Sequence, residues 1–148
     1  MDTLGRHLIA DFYGCDAGSL DDEAHVRRAV VAAAGAVGST VVSLASHRYA
    51  PQGVTAVALI AESHLSVHTW PEHGYAAIDI FTCGGLDPGP GFSLLAARLG
   101  ATEYRVQQIV RGADADLARH PAAGGDGVRL LAALAPRLSA PRGTLGGE

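Results

Sequence analysis

Hydrophobic and polar residues alternate in short runs along most of the chain, which predicts a fold rich in strands. Residues 4–13 place Leu8, Ala10 and Phe12 on one side of such a strand. A longer alanine-rich stretch follows Ser19, a predicted helix N-cap, and ends at Gly38. The pattern predicts strands at residues 4–13, 39–45, 54–61, 65–70, 75–82 and 102–110, and helices at residues 20–37 and 92–99.

The order of these elements is β-α-β-β-β-β-α-β, which lacks the regular β-α alternation of a doubly wound fold. It predicts an α+β class. We expect a single domain over residues 1–112, with a glycine- and proline-rich loop at residues 84–91. From residue 113 the composition shifts to Ala, Gly, Pro, Asp and Arg, which predicts a flexible tail with at most one short helix at residues 128–134.

Charge and hydropathy narrow the classes of function. The net charge is −4 and the basic residues are scattered, so we expect no nucleic-acid partner. The longest apolar run, residues 54–61, is far shorter than the roughly 18–20 residues of a membrane span, so we expect no membrane association. The N-terminus lacks the apolar core of a signal peptide. We therefore predict a cytoplasmic protein in which Cys15 and Cys83 are thiols.

Residues 61–84 concentrate the reactive side chains in the stretch AESHLSVHTWPEHGYAAIDIFTCG. Its histidines suggest zinc, but residues 66–70 favour a strand and Pro71 ends any helix. On a strand His64 and His68 would lie about 13 Å apart, too far to share one ion. The spacing therefore argues against a metal site, and an ordinary polar hairpin remains an alternative interpretation of each residue taken singly.

Hairpin geometry gives a third interpretation of this stretch. If the turn is centred on His73, antiparallel pairing places Ser63 opposite Cys83 and His68 opposite Ile78. Ser63 and His68 are five residues apart and would face opposite sides of a straight strand, so a shared site requires a bend near residues 64–65. A serine, a thiol and a histidine in one neighbourhood suggest covalent chemistry. No G-x-S-x-G motif surrounds Ser63, which argues against a hydrolase triad.

The same stretch resembles the prokaryotic S-adenosylmethionine decarboxylase proenzymes. The resemblance lies in ESHLSVHTWPE at residues 62–72, GYAA at residues 74–77, and Asp79 followed by FTCG at residues 81–84. It is supported by LGRH at residues 4–7 and by shorter matches, which are FY at 12–13, CD at 15–16, HR at 47–48, Pro51 and GV at 53–54. The similarity covers roughly residues 4–112.

The resemblance implies that the chain cuts itself between Glu62 and Ser63. It would give a β chain of residues 1–62 and an α chain that starts at residue 63. Ser63 would become a covalent pyruvoyl group that forms a Schiff base with the substrate amine and acts as an electron sink. No metal is implied. The reaction would convert S-adenosylmethionine to decarboxylated S-adenosylmethionine and carbon dioxide, for spermidine biosynthesis.

The resemblance also implies residue roles. His68 would be the proton acceptor in self-processing, with a hydroxyl at Thr55 assisting. Cys83 would return a proton to the substrate carbon, since a thiol still holds its proton at neutral pH. Tyr49, where the family usually has phenylalanine, would stack on the adenine and the sulfonium charge, and Glu72 would bind the ribose hydroxyls.

The resemblance implies an antiparallel β-sheet with helices packed on one face. Family members pair such sheets into αββα sandwich dimers with shared active sites, so we expect a homodimer. His73 replaces a common tyrosine beside Glu72. Three alternatives stay open from the sequence: a pyruvoyl-dependent arginine or ornithine decarboxylase of the same fold, an unprocessed regulatory homologue without catalysis, and a zinc-binding module.

Overall fold

A computed structural model describes residues 4–112, which form one six-stranded antiparallel sheet with helices packed on it. The expected tail from residue 113, with its short helix at residues 128–134, lies outside the described residues. The strands are β1 Gly5–Tyr13, β2 Val41–Arg48, β3 Val54–Ile60, β4 Ser63–Trp70, β5 Tyr75–Cys83 and β6 Glu103–Arg111. The helices are α1 Ala17–Asp21, α2 Glu23–Val37 and α3 Gly89–Arg98, with a 3-10 turn at Pro71–His73.

The strands lie in the order β2-β3-β4-β5-β1-β6, and every neighbouring pair is antiparallel. β2 to β5 form a meander of hairpins, and β1 inserts between β5 and β6. The predicted α+β class is therefore confirmed.

Alternation along each strand divides the sheet into two faces. On one face the apolar side chains of the strands pack with the helices into a single core, to which Leu8, Phe12, Val30, Ile78 and Leu95 belong. No helix among residues 4–112 covers the other face, which we call the open face. Its exposed apolar side chains include Ile9, Val57, Leu59 and Trp70.

The first predicted helix is divided in two, and Ser19 is not its N-cap. Asp16 caps α1 by accepting the backbone N–H of Ser19, and Asp22 caps α2 by accepting the N–H of His25. Asp22 itself is extended, which breaks the helix between α1 and α2. An Asp side chain that binds the N–H three residues later competes with a continuous helix, and at Asp22 this local hydrogen bond replaces the helical one and ends α1.

Two other boundaries differ from prediction by three residues, and the rest by at most two. β2 runs to Arg48 rather than residue 45, because its last residues pair with the start of β3. α3 begins at Gly89, inside the predicted loop, with a proline in its first turn. Proline is well suited to that position because its missing N–H would have no helical partner there.

The hairpin of β4 and β5 is shifted by one residue from the predicted register. Four residues, 71–74, join the strands, with Gly74 in the left-handed region closing the turn. The hairpin is thus centred on the bond between Glu72 and His73, so His68 pairs with Ala77 and not with Ile78.

Within residues 4–112 there is no helix long and apolar enough to cross a membrane.

Candidate active site

The bond between Glu62 and Ser63 lies in the tight turn of the β3–β4 hairpin. Ile60 pairs with Ser63, so only Ala61 and Glu62 form the loop. Glu62 has φ 69°, and it is the one non-glycine residue of the described chain with positive φ. Glycine normally occupies such a position, since a Cβ costs roughly 1–2 kcal/mol there. The backbone is therefore strained next to this bond.

Ser63 opens β4 with its side chain almost fully enclosed, at 8% exposure. Its Oγ is buried and has no hydrogen-bond partner among residues 4–112. An unsatisfied buried hydroxyl is unfavourable and rare in folded proteins. Here it belongs to a residue bonded to the strained Glu62, so a potential nucleophile lies beside a carbonyl under strain.

Cys83 is placed against that same carbonyl. Its Sγ donates a hydrogen bond of 2.9 Å to the carbonyl oxygen of Glu62. Cys83 ends β5 and pairs with Gly5 of β1, so the sheet holds the thiol across from the β3–β4 turn. The predicted pairing of Ser63 with Cys83 is wrong by the same one-residue shift of register that affects His68, but the thiol still reaches the Glu62 carbonyl next to Ser63.

The second cysteine lies in a different environment. Cys15 is buried in the core, and burial raises the pKa of its thiol to about 11. A thiol held protonated in apolar surroundings is a poor nucleophile. Cys83 is only partly buried and remains open to a ligand on the open face.

An open pocket surrounds the strained bond, and we call it the Ser63 pocket. Its lining residues are Val42, Leu59, Ile60, Glu62, Ser63, His64, Phe81 and Arg111. Most of this surface is apolar. The guanidinium of Arg111 lies over the ring of Phe81, 4.9 Å from its centroid.

Thr55 and His68 form a second pair of polar groups on the open face. They are direct cross-strand partners in β3 and β4, and Thr55 Oγ1 is 2.9 Å from His68 Nδ1. A hydrogen bond at Nδ1 fixes the ring and leaves Nε2 for a ligand. The structure thus brings together the two residues expected to act jointly in processing.

These residues line a second pocket, the His68 pocket, at the other end of the same strands. Its lining residues are Tyr49, Gln52, Gly53, Thr55, His68, Thr69, Trp70 and Glu72. Glu72 accepts a 3.2 Å hydrogen bond from Gln52 Nε2, and Tyr49 is 48% exposed. An aromatic ring and a carboxylate, both expected to bind substrate, therefore lie with His68.

Asp21 anchors the segment that carries Tyr49 and Gln52. Its carboxylate accepts hydrogen bonds from Arg48 Nη2 at 2.6 Å and from the N–H of Gly53 at 3.0 Å. These contacts, the one from Arg48 foremost, hold the pKa of Asp21 below its ordinary value of 3.8. The turn between β2 and β3 is thereby tied to the end of α1.

The structure does not bring Ser63 and His68 together within one chain. β4 runs continuously from Ser63 to Trp70, without the bend that a shared site would need. Five residues of strand separate them by roughly 16 Å. The expected residues thus divide into two groups, with Glu62, Ser63 and Cys83 in one and Thr55, His68, Tyr49 and Glu72 in the other.

Sequence reasoning missed several residues of these pockets: His64, Phe81 and Arg111 in the first, and Gln52 and Trp70 in the second. Trp70 carried a weak signal, since it immediately precedes Pro71 at a strand end. Arg111 carried none, because β1 separates its strand from β5. Among residues 4–112, no three His, Cys, Asp or Glu side chains are grouped so as to hold a metal ion.

Comparison with known proteins places this geometry in a known context. A family model described as S-adenosylmethionine decarboxylase matches residues 6–112. An S-adenosylmethionine decarboxylase proenzyme of Prochlorococcus marinus is 48% identical over 124 residues, which covers 81% of this chain and 99% of that protein. A proenzyme of the same name from Geobacillus kaustophilus is 46% identical over 112 residues, covering 76% of this chain and 90% of its own.

A solved structure agrees with these relatives. The crystal structure of the adenosylmethionine decarboxylase from Aquifex aeolicus superposes with a TM-score of 0.69 at 35% sequence identity. The match covers 76% of this chain and 93% of that one. The alignment therefore extends over nearly all of the Aquifex chain.

Proposed function

The chain belongs to the S-adenosylmethionine decarboxylase family, and we propose that it decarboxylates S-adenosylmethionine by means of a pyruvoyl group made from its own Ser63. The product would be decarboxylated S-adenosylmethionine, used for spermidine biosynthesis. The relatives reported above carry names that specify S-adenosylmethionine, which favours this substrate over arginine or ornithine. We also propose a cytoplasmic location, which the free thiols of both cysteines support.

The observation that carries the proposal is the geometry at the Glu62–Ser63 bond. The Glu62 backbone is strained, the Ser63 hydroxyl is buried without a partner in the described chain, and the Cys83 thiol donates to the Glu62 carbonyl oxygen. Ser63 Oγ attacks the carbonyl carbon of Glu62, and the peptide nitrogen leaves as a free amine, which gives an ester. The Cys83 thiol supports this step because it already donates to the carbonyl oxygen, where negative charge develops. Cleavage also releases the backbone strain at Glu62.

The ester then breaks by elimination. Loss of the proton on Cα of residue 63 forms a Cα–Cβ double bond and expels the carboxylate of Glu62. Water then replaces the nitrogen of residue 63, which leaves as ammonia. Ser63 fits as the precursor because its hydroxyl is buried without a partner in the described chain and is free to react.

A pyruvoyl carbonyl at position 63 supplies the electron sink that amino-acid decarboxylation needs and that no ordinary side chain provides. Cys83 lies beside the same position, so its thiol is placed to return a proton to the substrate carbon. The Ser63 pocket is open in the single chain, and its mostly apolar walls would exclude water from that carbon once a second copy covers it.

His68 reaches the reaction only if a second copy of the chain contributes it. The Ser63 pocket and the His68 pocket lie at opposite ends of β4, on the uncovered side of the sheet. Two open faces packed around a two-fold axis that crosses the strands bring the Ser63 pocket of one copy onto the His68 pocket of the other. We therefore propose an αββα homodimer with two shared sites, in which exposed apolar side chains such as Val57 and Ile9 become buried.

The His68 pocket suits the rest of the substrate. The exposed ring of Tyr49 offers a π face to a sulfonium cation and to adenine. The carboxylate of Glu72, oriented by Gln52, accepts hydrogen bonds from ribose hydroxyls. Trp70 lines the same pocket and offers a second aromatic surface.

Intact-mass analysis of the purified protein tests self-cleavage. The wild type should give two fragments whose masses correspond to residues 1–62 and 63–148, the second with a carbonyl that borohydride reduces. Ser63→Ala should remain a single 15.1 kDa species without release of carbon dioxide from carboxyl-labelled S-adenosylmethionine. Ser66→Ala is the matched control, because Ser66 is also buried on β4 but donates to Asp79. An uncleaved wild type would overturn the proposal.

Co-expression of two inactive variants tests the shared site. Ser63→Ala chains keep His68, and His68→Ala chains keep Ser63, so a mixed dimer contains one complete site. We expect the His68→Ala chain to be cleaved only when the Ser63→Ala chain is present. If mixed dimers form but the His68→Ala chain is still not cleaved, then Ser63 of one copy and His68 of the other do not act together across the interface.

A further inference from the structure

We propose that Arg111 binds the carboxylate that cleavage creates on Glu62, and that it thereby accelerates the elimination step and retains the new chain end in the Ser63 pocket. The inference rests on the proposed self-cleavage at Glu62–Ser63. It assigns a role in that reaction to a residue on the far edge strand of the sheet.

The path of the Arg111 side chain is built into the sheet. Arg111 pairs with Gly5 of β1, and Gly5 pairs on its other side with Cys83 of β5. Gly5 has no side chain, and a Cβ there would lie 2.5 Å from Cε2 of Phe81. The space over β1 is therefore left for the Phe81 ring, and the Arg111 guanidinium stacks on it, 4.9 Å from the ring centroid.

That position places a cation in the pocket that surrounds the strained bond. Arg111, Glu62 and Ser63 line one pocket, and the Cys83 thiol contacts the carbonyl oxygen that becomes part of the carboxylate. To reach β5, the Arg111 side chain crosses β1, a distance of two strand spacings or roughly 10 Å. The long arginine side chain covers that distance and places its guanidinium over the Phe81 ring.

The guanidinium has no anionic partner within the described chain before cleavage. The ion pairs among residues 4–112 join His7 to Asp79 and Arg48 to Asp21, and Arg111 belongs to neither. The other walls of the pocket are largely apolar, with His64 as the second basic side chain and Glu62 as the acidic one. The ion pairs of the described residues do not join the Glu62 side chain to Arg111. A permanent cation thus lines the same pocket as a peptide carbonyl that is neutral in the proenzyme.

Elimination changes the charge at this point. The proton on Cα of residue 63 passes to His68 of the second copy in the proposed dimer, the acceptor that the family resemblance implies, and its electron pair forms the Cα–Cβ double bond. The Cβ–Oγ bond breaks, and its electrons leave with the Glu62 carboxylate. Guanidinium pairs with carboxylate through two parallel hydrogen bonds, so it stabilises the charge as it develops.

The same contact matters after cleavage. In the proposed dimer the second copy covers this open pocket, and a free carboxylate enclosed there among mostly apolar walls is unfavourable unless a cation binds it. Arg111 supplies that cation and keeps the end of the β chain away from the carbonyl at position 63. In the processed enzyme the new C-terminus of the β chain then stays bound as part of the pocket wall.

Arg111→Gln tests the proposal on the full-length chain, with intact mass followed over time. We expect cleavage to slow about 10- to 100-fold, the range for loss of a charge-assisted hydrogen bond. The ester should accumulate, because its formation needs no carboxylate, and hydroxylamine should trap it. In the fraction that is cleaved, carboxypeptidase should release Glu62 faster than from the wild type.

Two further variants separate this role from packing. Arg111→Ala should regain cleavage when guanidinium ion is added at millimolar concentration, and not with equal urea. Arg105→Gln is the matched control, since Arg105 is another β6 arginine that lies over a ring, that of Tyr13 at 5.9 Å, and does not line the Ser63 pocket. It should be cleaved at the wild-type rate.

Cleavage of Arg111→Gln at the wild-type rate, with no trapped ester, would overturn the proposal. So would a variant that is cleaved normally but has a raised KM, since the guanidinium would then serve the substrate carboxylate. If the wild type itself is not cleaved, the proposed function fails and this role fails with it. A cleaved wild type with an unaffected variant refutes the role of Arg111 alone.

Discussion

Glu62 is the residue at which local strain and proposed chemistry coincide, so its backbone conformation can be tested directly. Glycine adopts φ 69° without a Cβ penalty, whereas glutamate does not. Glu62→Gly should therefore stabilise the proenzyme by about 1 kcal/mol and slow its cleavage by up to about tenfold. Quenched time courses by mass spectrometry measure the rate.

Glu62→Ala is the control for that change, because it removes the carboxylate side chain but keeps the Cβ. We expect it to be cleaved faster than Glu62→Gly. Equal rates for the two variants would show that strain at this position makes no contribution to the reaction.

Asp21 gives a prediction for the dependence of stability on pH. Its pKa is lowered in the fold by Arg48 and the N–H of Gly53, so the ionised form stabilises the protein at pH values above the ordinary pKa near 4. This contribution is lost as the pH falls through the lowered value. Asp21→Asn should reduce the free energy of unfolding at pH 7, with a smaller reduction at pH 3.

Urea denaturation at the two pH values measures the difference. Glu103→Gln, a change at an exposed carboxylate on β6, provides the control and should leave the pH dependence unchanged. If Asp21→Asn lowers the free energy of unfolding equally at both pH values, protonation of Asp21 does not weaken its contacts with Arg48 and Gly53.

Residue types alone directed attention to Ser63, His68 and Cys83, and the resemblance supplied their expected roles, which remain predictions. The strained turn at Glu62 was not predictable, since Ala-Glu lacks the Gly, Asn or Asp that marks a two-residue hairpin loop. Arg111 was not predictable either, because its approach to Phe81 depends on strand order and on the space above Gly5.

At the scale of elements, the alternation of apolar residues correctly predicted all six strands and the two longer helices, because one face of each is buried in a common core. The errors arose where a side chain competes for a backbone N–H and where the backbone geometry of a turn sets the strand register. Asp22 interrupts the first helix, and the closing Gly74 moves the hairpin centre by half a residue. Such local hydrogen bonds and turn geometries leave little trace in hydrophobic periodicity.

The contact of α2 with α3 depends on Gly91. A Cβ at this position would lie 2.7 Å from Cγ2 of Val37 and 3.1 Å from the carbonyl oxygen of Ala33. Gly91→Ala should therefore push the helices apart and lower the free energy of unfolding by about 1–3 kcal/mol. Thermal or urea unfolding measures the loss.

Gly35→Ala is the matched control within α2, since a Cβ there would have no atom within 4 Å. It should raise the free energy of unfolding by about 0.5–1 kcal/mol through helix propensity alone. A stable Gly91→Ala variant would contradict the tight packing of the two helices.

At the scale of the whole molecule, one face of the sheet carries both pockets and the exposed apolar side chains. The described chain covers the opposite face with helices and leaves this one uncovered. The proposed dimer, in which a second copy packs face to face, would account both for the separation of Ser63 from His68 and for the uncovered apolar surface. Neither observation was accessible from composition, because both depend on which face each strand residue occupies.

Val57 tests this arrangement because it lies on β3 in the open face, is 39% exposed and lines neither pocket. Val57→Lys should place a charge in the proposed interface and convert the dimer to monomers, as measured by light scattering after size exclusion. Cleavage should then fall steeply, since His68 would no longer reach Ser63 of another copy. Val31→Lys is the control, because Val31 is 45% exposed on the helical side of the sheet. This variant should remain dimeric and be cleaved normally. A monomeric Val57→Lys that is cleaved at the normal rate would refute the shared site, and a dimeric one would place the interface elsewhere.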